Sequence, residues 1–158
     1  MKTNWNELTL QEFEKIHEIF ALKEPEAQRI VKLIAFLSGK SIEAIESMPQ
    51  PVVMLLVKDI SFVFTEPPTV KEKDTYVIAG KKFVFQKDMG KRSMKAYIDT
   101  LALMDNVEEN LSKILATVLV PAVEKKTFWG VRLVPLPYGE VDVFEVSEFL
   151  HKNIKAVD

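Results

Sequence analysis

The sequence predicts a mainly helical α+β fold, in which about six to seven helices accompany a β-hairpin and there is room for one further short strand. Three observations carry this expectation. Apolar residues recur at spacings of three and four in several stretches that open on Ser, Thr, Asp or Asn. In "TYVIAGKKFVF" the period drops to two. Proline and glycine stand where one pattern gives way to the next. The whole chain, 1–158, reads as one domain with a helical part over 9–64 and a hairpin followed by helices over 70–158.

The first helix follows "LTLQEF", where Thr9 is the N-cap, Glu12 its capping-box partner, and Leu8 with Phe13 the hydrophobic staple. Its stripe is Phe13, Ile16 and Phe20. After Pro25, which suits a first helical turn, Ala27, Ile30, Val31, Ile34 and Leu37 form a second stripe ending before Gly39. Ser41 opens a short helix closed by Pro49. The run "PQPVVMLLVKDISFVF" is apolar nearly all round, and its length favours a buried helix over a strand.

The diprolyl stretch "EPPTVKEKD" ends the helical part. A two-residue turn at Gly80 and Lys81 would pair Ile78 with Phe83, Val77 with Val84 and Tyr76 with Phe85, placing Tyr76, Ile78, Phe83 and Phe85 on one face. Ser93 caps a helix running through Met104. Asn106 with Glu109 repeats the capping-box pattern for "NVEENLSKILATVLVP", with Leu111, Ile114, Leu115, Val118 and Leu119 as its stripe and Pro121 as its stop. The next segment, "AVEKKTFWGVRLVPLPYGE", reads as an extended loop with a short strand around Val131 to Val134. Asp142 and Glu145 then cap a last helix bearing Val146, Phe149, Leu150 and Ile154.

Composition excludes several function classes. At 158 residues the chain can bury roughly two-thirds of its unfolded surface, so a self-sufficient core is expected. A formal charge of −2 offers no global field for nucleic acid or anionic lipid, and neither partner is expected. With no cysteine there are no thiolate metal sites or cysteine nucleophiles, which fits a reducing, cytoplasmic location. The longest apolar run, "PVVMLLV", falls far short of the ~20 residues a membrane span needs.

No constellation of chemical groups emerges. His17 and His151 lie in different helices without a second ligand at helical spacing, so no metal or cofactor set is expected. "GKRS", residues 90–93, lacks the first glycine of a phosphate loop and is interrupted by Arg92. Asn110 in "NLS" falls inside a helix, and the adjacent Glu108 and Glu109 point about 100° apart near a helix start, where capping explains them better than acid/base work. Asp99 in "KAYIDTLALMDN" belongs to a polar side traced by Arg92, Lys95, Asp99 and Asn106. It reads as a solvated helix face, paired with Lys95 at i, i+4, or as a capping contact to a neighbouring loop. No catalytic residue is expected. The segment to watch is "TFWGVRLVPLPY", where Phe128, Trp129 and Tyr138 could meet a partner or close over the protein's own core.

Residues 97–121, "YIDTLALMDNVEENLSKILATVLVP", follow the hairpin "YVIAGKKFVF" and resemble small structural and tail-assembly-type proteins of tailed bacteriophages of Bacteroidetes hosts. The resemblance rests on Tyr97, Ile98 and Asp99 at a helix start, on Ile114, Leu115 and Ala116, and on the closing Pro121. Proteins of that group extend past the last helix into a further apolar segment, where this chain reads "KAVD". The resemblance implies a role in virion structure or assembly, including tail-assembly chaperoning, in the bacterial cytoplasm or the virion, and it carries no catalytic motif. The expected function is therefore a non-enzymatic protein-binding or assembly factor that meets protein partners or further copies of itself. Two other readings share the same negatives: a small regulatory or toxin–antitoxin-like binding module, and an enzyme whose polar residues converge only in three dimensions.

Overall fold

A computed structural model describes residues 1–69 and 71–155, with Met89 and Glu108 described by their backbone alone. The fold is α+β: among the described residues there are seven α-helices and one antiparallel sheet of four strands, in the order β1-β2-β3-β4. The described residues divide into two compact units, one of residues 1–69 with Lys155 and one of Lys71–Ile154.

The first unit is helical, with α1 (Leu10–Ala21), α2 (Glu26–Ser38), α3 (Ile42–Glu46) and α4 (Gln50–Asp59). The local signals act as expected. The Thr9 hydroxyl accepts from the Glu12 amide and the Glu12 carboxylate accepts from the Thr9 amide, closing the capping box. Gly39, at φ 67°, ends α2 in the left-handed conformation that glycine adopts without penalty. Leu8, Ile16, Leu33, Ile34, Ile45 and Ile60 form the centre of this unit's core, each stabilising it by roughly 1.5–3 kcal/mol. Trp5 joins them from a short 3₁₀ turn, its ring 5.4 Å from that of Phe62 in an edge-on contact.

One expectation fails here. The α4 run does form a helix, yet none of its residues is buried, and Val52, Met54 and Leu55 are exposed. Only Val53, Leu56 and Val57, one helical face, pack on the core. A run that is apolar all round names no preferred face, so the sequence could not say how much of it the unit would cover.

The second unit contains β1 (Thr75–Ile78), β2 (Lys81–Phe85), α5 (Met94–Leu103), α6 (Val107–Val118), β3 (Leu119–Thr127), β4 (Gly130–Pro135) and α7 (Val143–Asn153). The first hairpin turns at Ala79 and Gly80, one residue earlier than the pattern suggested, and pairs Ile78 with Lys81 and Tyr76 with Phe83. Both turn residues have positive φ, 44° and 79°, the signature of a type I′ turn. The register therefore differs by two residues from the expected one. A slip of two keeps every side chain on its face, and Ile78 and Phe83 remain buried as the pattern required.

Both ends of α6 also depart from expectation. Asn106 occupies the N-cap but makes no side-chain capping bond, because a 3₁₀ turn over Met104–Asn106 already leads the chain into the helix. The helix stops at Val118, and Leu119 begins β3 rather than ends the helical stripe. The expected loop with one short strand is thus a pair of strands. Pro121 tolerates this position because the ladder to β2 ends at it and the ladder to β4 begins one residue later. Phe83 stacks on Phe149 of α7 at 5.8 Å, so sheet and helix share one core.

Candidate functional site

Beyond Pro121, β3 pairs with β4 alone: Ala122 lies opposite Pro135 and Thr127 opposite Gly130. These strands form a two-stranded arm on which every residue from Val123 to Arg132 is exposed. Phe128 and Trp129 are its two turn residues. The positive φ of the reversal falls on Gly130, at 128°, and the Thr127 hydroxyl donates to the Gly130 carbonyl at 2.9 Å. Both aromatic side chains are 93% exposed and touch one another edge-on at 5.3 Å. Lys125, Lys126 and Arg132 flank them along the strands. The alternative in which these rings close over the core does not describe Phe128 and Trp129.

Tyr138, the third residue of that group, lies elsewhere. It sits half-buried in a 3₁₀ turn, Tyr138–Glu140, and its hydroxyl donates to Asp99 Oδ2 of α5 at 3.0 Å. Asp99 is thus neither a wet helix face nor half of a Lys95 pair; it does meet a neighbouring loop, as its other reading had it, but through the Tyr138 side chain and not by capping backbone amides. Burial pushes the Tyr138 phenol up to about 12, and the Asp99 carboxylate beside it acts in the same direction.

Of the polar side expected for α5, Arg92 turns inward and Asp99 is half-buried, while Lys95 and Asn106 stay exposed. Arg92, just before the helix, is buried, and its Nη2 donates to Thr100 Oγ1 at 2.9 Å and to the Thr117 carbonyl at 2.7 Å. That carbonyl belongs to the last turn of α6, which has no basic residue of its own, so Arg92 brings a cation to the negative end of the helix. Thr100 shares its single proton between the Ala96 carbonyl, 2.7 Å away, and Thr117 Oγ1, 2.8 Å away. Burial holds the Arg92 guanidinium below its ordinary value, and the Tyr138 phenol opposes that shift. Sequence reasoning did not bring Thr100 and Thr117 into this network; the available signal was a threonine inside each of two apolar helical runs.

No family model, curated protein or solved structure matches the chain. The geometry of the molecule therefore carries the functional reading. The hydrogen bond from the Tyr138 hydroxyl to Asp99 ties the 138–140 turn to α5. "GKRS" ends in a cap: the Ser93 hydroxyl accepts from the Ala96 amide, and the Gly90 amide is taken by Asp88. Among the described residues no three His, Cys, Asp or Glu side chains gather where they could hold a metal ion, and no helix is long and apolar enough to cross a membrane. A cleft of about 220 Å³ between Phe83, Pro121 and α7 is smaller than the ~300 Å³ at which ligand pockets begin. The aromatic tip remains as the candidate site.

Proposed function

We propose that this protein is a binding or assembly factor, without catalytic activity of its own, and that the Phe128–Trp129 tip of the β3–β4 arm is its contact with a protein partner. The supporting observation is the exposure of two large aromatic side chains at the end of an arm that is itself exposed over its outer length. Tryptophan is among the residues that most often dominate interface energetics, because burying its ring releases much surface at little entropic cost. The outer edge of β4, the last strand of the sheet, adds unpaired backbone groups through which a partner strand could join. We take the resemblance of residues 97–121 to small uncharacterised proteins of tailed bacteriophages to favour a partner among virion components.

The test replaces Trp129 with a photo-crosslinking amino acid in the full chain, expressed together with its genomic neighbours. The expected result is one dominant cross-linked protein, whose affinity for the purified chain falls about 30-fold or more for Trp129→Ala, as for an interface hot spot. Cross-links no more abundant than those from the exposed Lys58 of α4 would overturn the proposal.

A further inference from the structure

The arm that ends in Phe128 and Trp129 carries charge as well as aromatic area. Glu124 at its base is taken by Lys82 of β2, and from residue 125 to residue 132 the arm holds Lys125, Lys126 and Arg132 and no acid. Lys125 and Arg132 lie directly opposite one another across the two strands. Like charges so placed repel, and among the described residues none of the three basic side chains has an ion-pair partner. A partner that brings acids to the arm relieves this repulsion. Three residues at ~3.3 Å each separate Lys125 from Phe128 and Arg132 from Trp129, so those acids must stand within about 10 Å of whatever takes the tip.

The cleft between β2 and α7 meets this description. Its walls include Phe83, Leu136 and Phe149, and its rim carries three exposed acids, Glu140, Asp142 and Glu145, against one lysine, Lys81. Asp142 caps α7, while Glu140 and Glu145 have no ion-pair partner among the described residues. The Lys81 ammonium lies 4.4 Å from the centre of the Phe149 ring, so the aromatic wall already receives a cation. A cleft of about 220 Å³ is too small for a whole ligand but takes one aromatic side chain. The tip cannot fold back into the cleft of its own chain, because Pro121 lines the cleft and the paired strands hold Thr127 six residues, about 20 Å, away from it. We propose that the Phe128–Trp129 tip of one copy docks in the Phe83–Phe149 cleft of the next, with Lys125 and Arg132 against Glu140 and Glu145, so that copies join head to tail. This rests on the reading of the tip as the protein contact and names the partner as a second copy of the chain. Tip and cleft are different surfaces, so the contact is heterologous and repeats from copy to copy. Residue 125 lies midway between Pro121 and Trp129 in the chain. Two copies exchanging arms about a two-fold axis would therefore bring both Lys125–Arg132 pairs together, and charge disfavours that closed pair.

A tip in a cleft is a smaller contact than the ~1,200 Å² of a stable interface, so assembly is expected at concentrations on the order of 100 μM. Sedimentation and light scattering of the full chain should show an average mass that rises past that of a dimer and falls back as salt screens the ion pairs. Trp129→Ala should weaken assembly at least about tenfold. Lys125→Glu with Arg132→Glu in one chain, and Glu140→Lys with Glu145→Lys in another, should each weaken it as much with an unchanged circular dichroism spectrum. Mixed in equal amounts, these two chains should assemble again, since the acidic arm of the first meets the basic rim of the second and the remaining arm and rim keep their native charges. A folding defect could not imitate that rescue. A wild-type chain that stays monomeric, a mass that stops at a dimer, an assembly indifferent to Trp129→Ala, or a mixture that fails to assemble overturns the proposal. A photo-crosslinking amino acid in place of Trp129 separates this failure from that of the reading beneath it. Capture of a different protein by a monomeric chain leaves the tip as a protein contact with another occupant, whereas capture no greater than from Lys58 sinks both.

Discussion

Arg92 links two helices of the second unit, because one of its nitrogens serves both Thr100 and the end of α6. Arg92→Ala would leave the Thr117 carbonyl without this donor in a buried place and open a cavity beside it. The expected cost is about 2–4 kcal/mol, read as a lower urea midpoint at unchanged slope. Tyr138 makes a smaller contribution with a pH signature. Folding raises its pKa from the ordinary 10.0 to about 12, so the neutral phenol is the form the fold favours. The stability it lends is intact below pH 10 and is lost as pH rises toward 12. Tyr138→Phe should cost about 1 kcal/mol at neutral pH. The gap between the two proteins should close over that alkaline window, as urea titrations at each pH would show. The sequence offered Asp99 a loop contact as one of two readings but could not name Tyr138, which lies 39 residues away. Nothing in the local pattern encodes a pairing at that distance.

At the scale of elements, the caps written in the sequence are mostly the caps observed. Thr9, Ser41, Ser93 and Asp142 each accept from a backbone amide two or three residues on, because that bond needs only local geometry. Asn106 fails for an equally local reason, the 3₁₀ turn that precedes it. The first hairpin carries a mild strain, since Ala79 holds a φ of 44°, which a residue with a Cβ adopts at a cost. Ala79→Asn would give this type I′ turn its preferred Asn-Gly sequence and should raise stability by about 0.5–1 kcal/mol, measured by thermal or urea unfolding. The β3–β4 arm was harder to foresee. Leu119 continues the helical spacing of α6, and Pro121 reads as a stop, so β3 was hidden behind two signals that normally mean a helix end. The exposure of Phe128 and Trp129 depends on that arm and was left open by their sequence.

For the molecule as a whole, each unit contains a core of its own, and the two tryptophans fall one to each: Trp5 buried in the first, Trp129 exposed in the second. With Trp129→Phe as background, Trp5 fluorescence reports the first unit alone. Adding Arg92→Ala should leave its urea transition in place while the helical circular dichroism gains an earlier step; a Trp5 transition that moves with it would show the units unfolding as one. By itself the sequence determined the fold class, the helix starts and the face of the first hairpin. Those come from periodicity, capping and composition, which act over a few residues. Only the tertiary structure decided which way α5 and α4 turn their apolar sides, that Asp99 meets Tyr138, that Arg92 closes α6, and that β3 and β4 carry an aromatic pair out into solvent. An apolar stripe is the same in sequence whether it meets the chain's own core or faces outward, because burial is a property of neighbours brought from elsewhere in the chain.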